Sequence, residues 1–375
     1  MDVLWLGATG GGSVPPQLAL CEAFVAAGHR LRAVFDSDSV AQFEAAGFLC
    51  EVVQLPERPT GLSRPEMADW VYANRFMGPM FNEALRSAID RDRPDRLVLD
   101  GFLYDAQVEA RGAGIPYAVV CHVLVGAAWG GPGAEHLDRN HLAAHNDRRR
   151  NVGLEPVATV RDTLLDADWF LAMTYDVLDA PNARGWPNRH YVGAHVPAWS
   201  PVDIDLPDGD GPLVVVSFST TPMGQGSVVQ RVVDALGQLD VRVVVTTGPA
   251  MDAIRLDLPD DAVAVPFVPH DQLLPDAALM VSHVGHGSMA AAARHGVPIL
   301  ALPMGRDQDR NAEILTSHGI GTWLPPTADS ETIAHTAKAV LTDATVRQAS
   351  VAMAQRIAQH PGLDHAVALL TRPTD

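Results

Sequence analysis

The run Ser282-His283-Val284-Gly285-His286-Gly287-Ser288 sets two imidazoles, two glycines and a serine between an apolar stretch and the alanine-rich Met289–Arg294. That order predicts a strand ending at Ser282 and a helix opening near Ser288, with Ser288 as N-cap. Gly285 and Gly287 would expose backbone amides at the positive end of the helix dipole, where a phosphate binds well. His283 adds a side-chain donor for a phosphate oxygen. The chemistry on offer is a diphosphate cradle built without lysine or metal.

Two further stretches follow apolar runs in the same way. In Leu302-Pro303-Met304-Gly305-Arg306-Asp307-Gln308 an acid and an amide stand side by side, able to accept from and donate to adjacent sugar hydroxyls. Asp307 also reads as the N-cap of the next helix. Gly7-Ala-Thr-Gly10-Gly11-Gly12-Ser13 closes the first apolar run, and Gly11 and Gly12 would let a ligand approach the backbone. Its spacing only partly matches G-x-G-x-x-G. Asp36 stands where a dinucleotide site would want its ribose acid, so a nicotinamide-dependent oxidoreductase is one rival reading. A strand-to-helix turn with no bound nucleotide explains the same glycines.

The elements that would position these residues alternate regularly. Val3–Leu6, Leu31–Phe35, Cys50–Val53, Leu97–Leu99 and Tyr117–Val120 read as buried parallel strands. Val14–Ala27, Ser37–Ala46, Pro65–Asp92 and Leu103–Ala113 read as helices between them, with Gly28 and Gly114 where C-caps belong. Val196–Pro212, rich in Pro, Gly and Asp, reads as a linker. The pattern restarts with strands at Leu213–Ser217, Val241–Thr246, Val263–Phe267, Leu279–Ser282 and Ile299–Leu302. Helices are expected at Ser227–Leu239, Ser288–His295, Gln308–His318 and Ser330–Leu341. The expected organisation is two doubly wound α/β domains, Met1–His195 and Leu213–Asp375, facing across a cleft, with the last helix able to pack back on the first domain. Trp129–Leu165 and Glu57–Pro79 break the alternation. They read as an acceptor-binding wall or, equally, as ordinary surface helices.

Composition narrows the function further. A formal net charge of −18 over 375 residues repels phosphate backbones and anionic membrane surfaces, so neither nucleic acid nor membrane is an expected partner. The expected partners are small molecules, and a homodimer is compatible with the sequence. Three scattered cysteines, Cys21, Cys50 and Cys121, suggest neither a disulfide framework nor a zinc site. No signal-like segment opens the chain and no apolar run is long enough to span a bilayer, so a cytoplasmic location is expected.

The run from Pro266 to Gly321 resembles the family 1 glycosyltransferases of the GT-B fold, and looks closest to the bacterial enzymes that glycosylate antibiotics and other natural products. The resemblance lies in Phe267-Val-Pro269-His270, Leu273-Leu-Pro275, the His283–Ser288 turn, Gly296-Val-Pro298, and Asp307-Gln308 with Asn311-Ala312. It extends through Pro16, Gly28-His29 and Tyr191-Val192-Gly193. It implies transfer of a sugar from a nucleotide diphosphate donor to a small acceptor, with inversion and with no cofactor or metal. Val268 and its neighbours would line the nucleobase pocket. His283, Gly287 and Ser288 would hold the diphosphate, with Ser219 or Thr220 nearby. Asp307 and Gln308 would contact the transferred sugar.

Two positions depart from that pattern. Many relatives carry a ribose-binding glutamate where this chain has Ala291, which favours a deoxyribose donor such as a dTDP-sugar. Relatives also place a histidine or aspartate three residues before a proline at the start of the first helix, and here that position is Ser13, a poor base. Asp100, where relatives keep a partner acid, and His122, just after the fifth strand, are the alternatives. An inactive homologue serving as an auxiliary partner and a GT-B nucleotide-sugar epimerase are further rival readings.

Overall fold

The computed structural model describes the chain apart from residues 9–11, 58, 129–131, 181–187, 219, 221–222, 249–254 and 373–375. It divides into two compact units. Unit 1 comprises Met1–Met173, Pro181–Pro197 and Pro361–Asp375, and unit 2 comprises Thr174–Ala180 and Ala198–His360.

Unit 1 is built on a seven-stranded sheet. Its strands are β1 (Asp2–Gly7), β2 (Arg30–Asp36), β3 (Cys50–Val53), β4 (Arg96–Asp100), β5 (Tyr117–Cys121), β6 (Trp169–Ala172) and β7 (Arg189–Tyr191), in the order β3-β2-β1-β4-β5-β6-β7. All pairings are parallel. β1 shows why these residues form a central strand. Leu4 and Leu6 enter one core layer and Val3 and Trp5 the other, so both faces are covered and every position must be apolar. Strand order reverses between β1 and β4, so the carboxyl ends of these two strands flank the switch point where open α/β sheets bind ligands.

The helices that surround this sheet follow local chemistry. Pro15 and Pro16 sit in the first turn of Val14–Ala26, where a missing amide hydrogen is harmless. Gly28 and Gly114 adopt left-handed φ angles of 83° and 62°, as their expected capping positions require. The single helix expected over Pro65–Asp92 is broken into an α-helix Arg64–Val71, a π-helix Tyr72–Phe76 and an α-helix Pro79–Arg91. Pro79 cannot continue a helix from upstream and instead starts a new one.

Within Trp129–Leu165 a 20-residue helix, Pro132–Asn151, is followed by a 3₁₀ helix, Val160–Asp166. A polar knot joins the two. His145 meets Asp105 at 2.7 Å and Thr163 at 2.6 Å, all three fully buried, and Arg148 pairs with the same aspartate. His145 and Arg148 therefore have a structural place in this region. After unit 2, the helix Leu363–Leu370 returns to unit 1 against Val14–Ala26 and buries Leu369 and Leu370. The guanidinium of Arg96 lies 4.0 Å over the Trp169 ring and donates to the carbonyls of Leu370 and Arg372.

Unit 2 repeats the scheme with β8 (Leu213–Ser217), β9 (Arg242–Thr246), β10 (Ala262–Val265), β11 (Ala277–Ser282), β12 (Ile299–Ala301) and β13 (Gly321–Trp323). All are parallel, in the order β10-β9-β8-β11-β12-β13, so the switch point lies between β8 and β11. Valines at 214, 216, 228, 229, 232 and 233 fill its core between sheet and helix. Among the described residues no helix is long and apolar enough to cross a membrane, and no group of three His, Cys, Asp or Glu side chains is placed to hold a metal ion.

Candidate active site

In unit 2 the switch point is occupied by the turn between β11 and its helix. The helix opens at His286 with Gly285 as N-cap, not at Ser288 as expected. Ser288 is thus the third helical residue. Met289 makes the first intrahelical bond, back to Gly285 O at 3.0 Å, so the amides of Gly287 and Ser288 belong to the exposed first turn. A Cβ on Gly287 would meet nothing within 4 Å, whereas one on Gly285 would stand 2.7 Å from Nε2 of His283. Gly285 therefore makes room for the imidazole, and Gly287 leaves room in front of the helix.

Val284 has a φ of 55°, a left-handed conformation that costs a β-branched residue about 1–2 kcal/mol. Two bonds hold it there. Its amide donates to Ser282 Oγ at 2.9 Å, and its carbonyl accepts from Asn311 Nδ2 at 3.0 Å. The imidazole of His283 is buried and stacks on Phe218 at a centroid distance of 6.1 Å. Burial, reinforced by the charge of Arg306, pulls its pKa down to about 4, so the ring is neutral. Its Nδ1 is buried and has no hydrogen-bond partner among the described residues. A backbone hydrogen bond to Ser217 works against that downward pull on the ring.

The loop after β12 bears on the same turn. Asp307 is the N-cap residue of Gln308–Ser317, but its side chain caps nothing and instead accepts from Asn311 Nδ2 at 3.0 Å. Asn311 thus ties Asp307 to Val284. Gln308 is buried, accepting from the Met304 amide at 2.7 Å and donating to Met223 Sδ at 3.6 Å, so in this structure it braces its own loop. Thr220 is exposed beyond β8, and Ser219 lies outside the described residues. Val268 is only 2% exposed and faces the interior, while its neighbour Phe267 is 52% exposed and meets Trp199 edge-on at 5.7 Å. Phe267 is one of the neighbours of Val268 that the sequence reading placed at the nucleobase pocket, and Arg306 lies inside the Leu302–Gln308 stretch without having been given a role. Trp199, in the linker, was given no role by the sequence reading.

In unit 1 the structure brings the alternative bases together. Asp100 ends β4, and His122 follows its neighbour β5, with Nδ1 3.5 Å from Asp100 Oδ2. Gln17 donates to the same oxygen at 3.0 Å and accepts from Trp5 Nε1 at 3.1 Å, and the Phe102 amide donates to Oδ1 at 2.9 Å. Burial pushes the Asp100 carboxyl up to about 7, against the pull of those donors and with a push from the charge of Asp36. Ser13 is fully buried and donates to Ala8 O at 3.3 Å. Gly12 lies in open space, and Gly11 lies outside the described residues.

The dinucleotide reading loses its two anchors. A Cβ on Gly7 would stand 2.1 Å from the Phe35 ring, so packing alone demands a glycine there. Asp36 is fully buried, accepts from Ser39 Oγ at 2.8 Å, and pairs with Arg75 at 3.7 Å, leaving no carboxylate edge for a ribose.

Comparison with known proteins adds to this geometry. Residues 230–370 match the family described as erythromycin biosynthesis protein CIII-like, C-terminal domain. The chain is 28% identical over 200 residues to O-mycaminosyltylonolide 6-deoxyallosyltransferase of Streptomyces fradiae, a stretch covering 51% of this chain and 46% of that protein, or about half of each. It is 27% identical to L-demethylnoviosyl transferase of Streptomyces niveus over 96% of this chain and 95% of the other. The solved structure of spinosyn rhamnosyltransferase SpnG complexed with thymidine diphosphate superposes with a TM-score of 0.78 at 21% identity, covering 99% of this chain and 100% of that one. The chain has the GT-B fold, and the proteins it resembles are antibiotic glycosyltransferases. In unit 1 Asp100 ends β4 and His122 follows β5, and in unit 2 His283 follows β11 and Asp307 lies beyond β12, so these candidates all lie past the carboxyl ends of strands at or next to a switch point.

Proposed function

We propose that the chain is an inverting glycosyltransferase that moves a sugar, a deoxysugar by preference, from a dTDP-linked donor to a small natural-product acceptor. The observation that carries the reading is the buried, partnerless Nδ1 of His283 beside a helix N-terminus whose Gly287 leaves open space. A diphosphate supplies both what the imidazole lacks and what the helix dipole favours. Phe267, exposed at the start of the same motif, offers a face for the nucleobase, and Arg306 adds a cation. Asp307, oriented by Asn311, would meet the sugar hydroxyls. Gln308 could exchange its weak sulfur contact for one of them. Ala291 in place of a carboxylate suits a ribose short of one hydroxyl, and the thymidine diphosphate held by SpnG agrees with that choice.

The acceptor belongs to unit 1. Its nucleophile attacks the anomeric carbon as the bond from that carbon to the diphosphate oxygen breaks, and the electron pair leaves with the nucleotide. Helix amides and His283 stabilise the charge that develops there. The acceptor proton passes to His122, and Asp100 behind it stabilises the imidazolium that forms, the arrangement by which a carboxylate supports a histidine base. Ser13, donating to a backbone carbonyl, is spared that duty. Isothermal calorimetry with dTDP, UDP and NAD tests the reading. dTDP should bind at least as tightly as UDP, and binding of NAD with neither of the others would overturn it.

A further inference from the structure

Unit 1 contains a feature that the reaction as described does not use. A row of rings runs along one edge of its core: His141 to Tyr72 at 6.1 Å, Tyr72 to Phe76 at 5.7 Å, Phe76 to Phe102 at 5.3 Å, and Phe102 to His122 at 5.4 Å. Each spacing is that of rings in direct contact. Tyr72, Phe76 and Phe102 are only part-buried, packed against the margin of the core cluster instead of inside it. The row ends at the imidazole that faces Asp100.

The backbone departs from regularity to make this row. Tyr72–Phe76 is the π-helix, closed by a bond from the Met77 amide to Tyr72 O at 2.9 Å. A π turn is a rare form of helix, usually a single turn, and is frequent at functional sites. It is locked from behind by Gly78, where any Cβ would stand 2.5 Å from Asn74 O. The two aromatic residues that continue the row away from Phe102 are the first and last of this segment. Nothing in the packing of the core explains why rings, as opposed to aliphatic side chains, should line it.

We infer that the row Tyr72–Phe76–Phe102 is the binding face for the acceptor, and that the acceptor is a planar aromatic molecule bearing a phenolic hydroxyl, which the row delivers to His122. This rests on the proposed glycosyl transfer and names its substrate class. Aromatic rings in a tilted and edge-to-face row favour a flat π-system over a saturated ring of equal area. The end of the row favours a phenol over an aliphatic alcohol, because a phenol needs far less help to ionise. In the step, the phenolic oxygen bonds to the anomeric carbon, the diphosphate leaves with the electron pair of the broken bond, and the phenolic proton goes to His122. No oxidant, reductant or further reactant is needed.

The test is a titration of the full chain, with and without saturating dTDP, with 1-naphthol and with its saturated counterpart decahydro-1-naphthol. 1-Naphthol should bind at least about tenfold more tightly, and its ring protons should shift upfield in the NMR spectrum as they enter the face of a neighbouring ring. Tyr72→Leu and Phe102→Leu, which keep apolar bulk, should abolish the preference and the shift while leaving dTDP affinity unchanged. Melting curves confirm that each variant is folded, and the upfield shift in the unaltered chain provides a readout that does not depend on them. Equal binding of the two alcohols, or a preference that survives both substitutions, would overturn the inference even if dTDP binds. Failure of dTDP to bind would overturn the underlying reading instead.

Discussion

At the scale of single residues, two ionisable groups sit far from their ordinary values. The Asp100 carboxyl holds its proton up to about pH 7, whereas an unfolded aspartate loses it near ~4. Between those limits the folded chain binds the extra proton. The stability contributed by this group is therefore present at low pH and is lost as pH rises through the window. Asp100→Asn should accordingly gain stability relative to the parent between pH 4 and pH 8, by on the order of a few kcal/mol in urea denaturation, while transfer collapses. Equal denaturation curves at both pH values would refute the assignment. Ser13→Ala should retain most activity, and His122→Ala should lose most of it, when both are compared on one acceptor. For His283 the sign is opposite. Its ring is neutral down to about pH 4, and a bound diphosphate should raise that value. dTDP binding near pH 5 should then take up protons, seen as a dependence of the calorimetric heat on buffer ionisation enthalpy. His283→Ala should lose that uptake and about 2.7–4 kcal/mol of transition-state stabilisation.

At the scale of elements, the two glycines of the diphosphate turn make opposite demands. Gly287→Ala adds a methyl group where the protein has nothing within 4 Å, so the melting temperature should hardly move while dTDP affinity falls at least about tenfold. Gly285→Ala drives a methyl group into the His283 ring and should lower both. If Gly287→Ala bound dTDP as well as the parent, the helix N-terminus would not be the phosphate site. The sequence made this element legible because a β-strand, glycines and an alanine-rich helix leave few alternatives. It misplaced the N-cap by three residues, since Ser288 is an equally good cap by composition and only the left-handed turn at Val284 decides the matter. It also missed the π-helix, whose apolar spacing does not differ from that of an ordinary helix with a break at Gly78-Pro79. The short strands β6, β7 and β13 escaped because they are only three or four residues long, β7 and β13 with polar residues among them, and their sheet partners make them strands.

At the scale of the whole molecule, the doubly wound architecture was readable because buried parallel strands must be apolar on both faces. The pairing of Asp100 with His122 was not readable, since neighbouring strands lie some twenty residues apart in sequence and only the sheet order sets them side by side. The recruitment of the Leu363–Leu370 helix into unit 1 carries a prediction of its own. Leu370→Ala should destabilise unit 1 by about 2–5 kcal/mol, the usual range for a buried leucine, and should lower the denaturation midpoint followed by fluorescence of Trp5 and Trp169. Their signal unchanged by the substitution would show that the helix contributes nothing to that core.

The same recruitment has a consequence for how the protein is made. The Leu363–Leu370 helix leaves the ribosome only after every residue of unit 2 has emerged. Domains usually fold in order of synthesis, N-terminal first. Here the first unit to appear waits for the second, with the groove on Val14–Ala26 and the Trp169 ring beneath Arg96 uncovered for the whole interval. A stalled or truncated chain would therefore expose apolar surface in its N-terminal half, and quality-control proteases should find it there even though the defect lies hundreds of residues downstream.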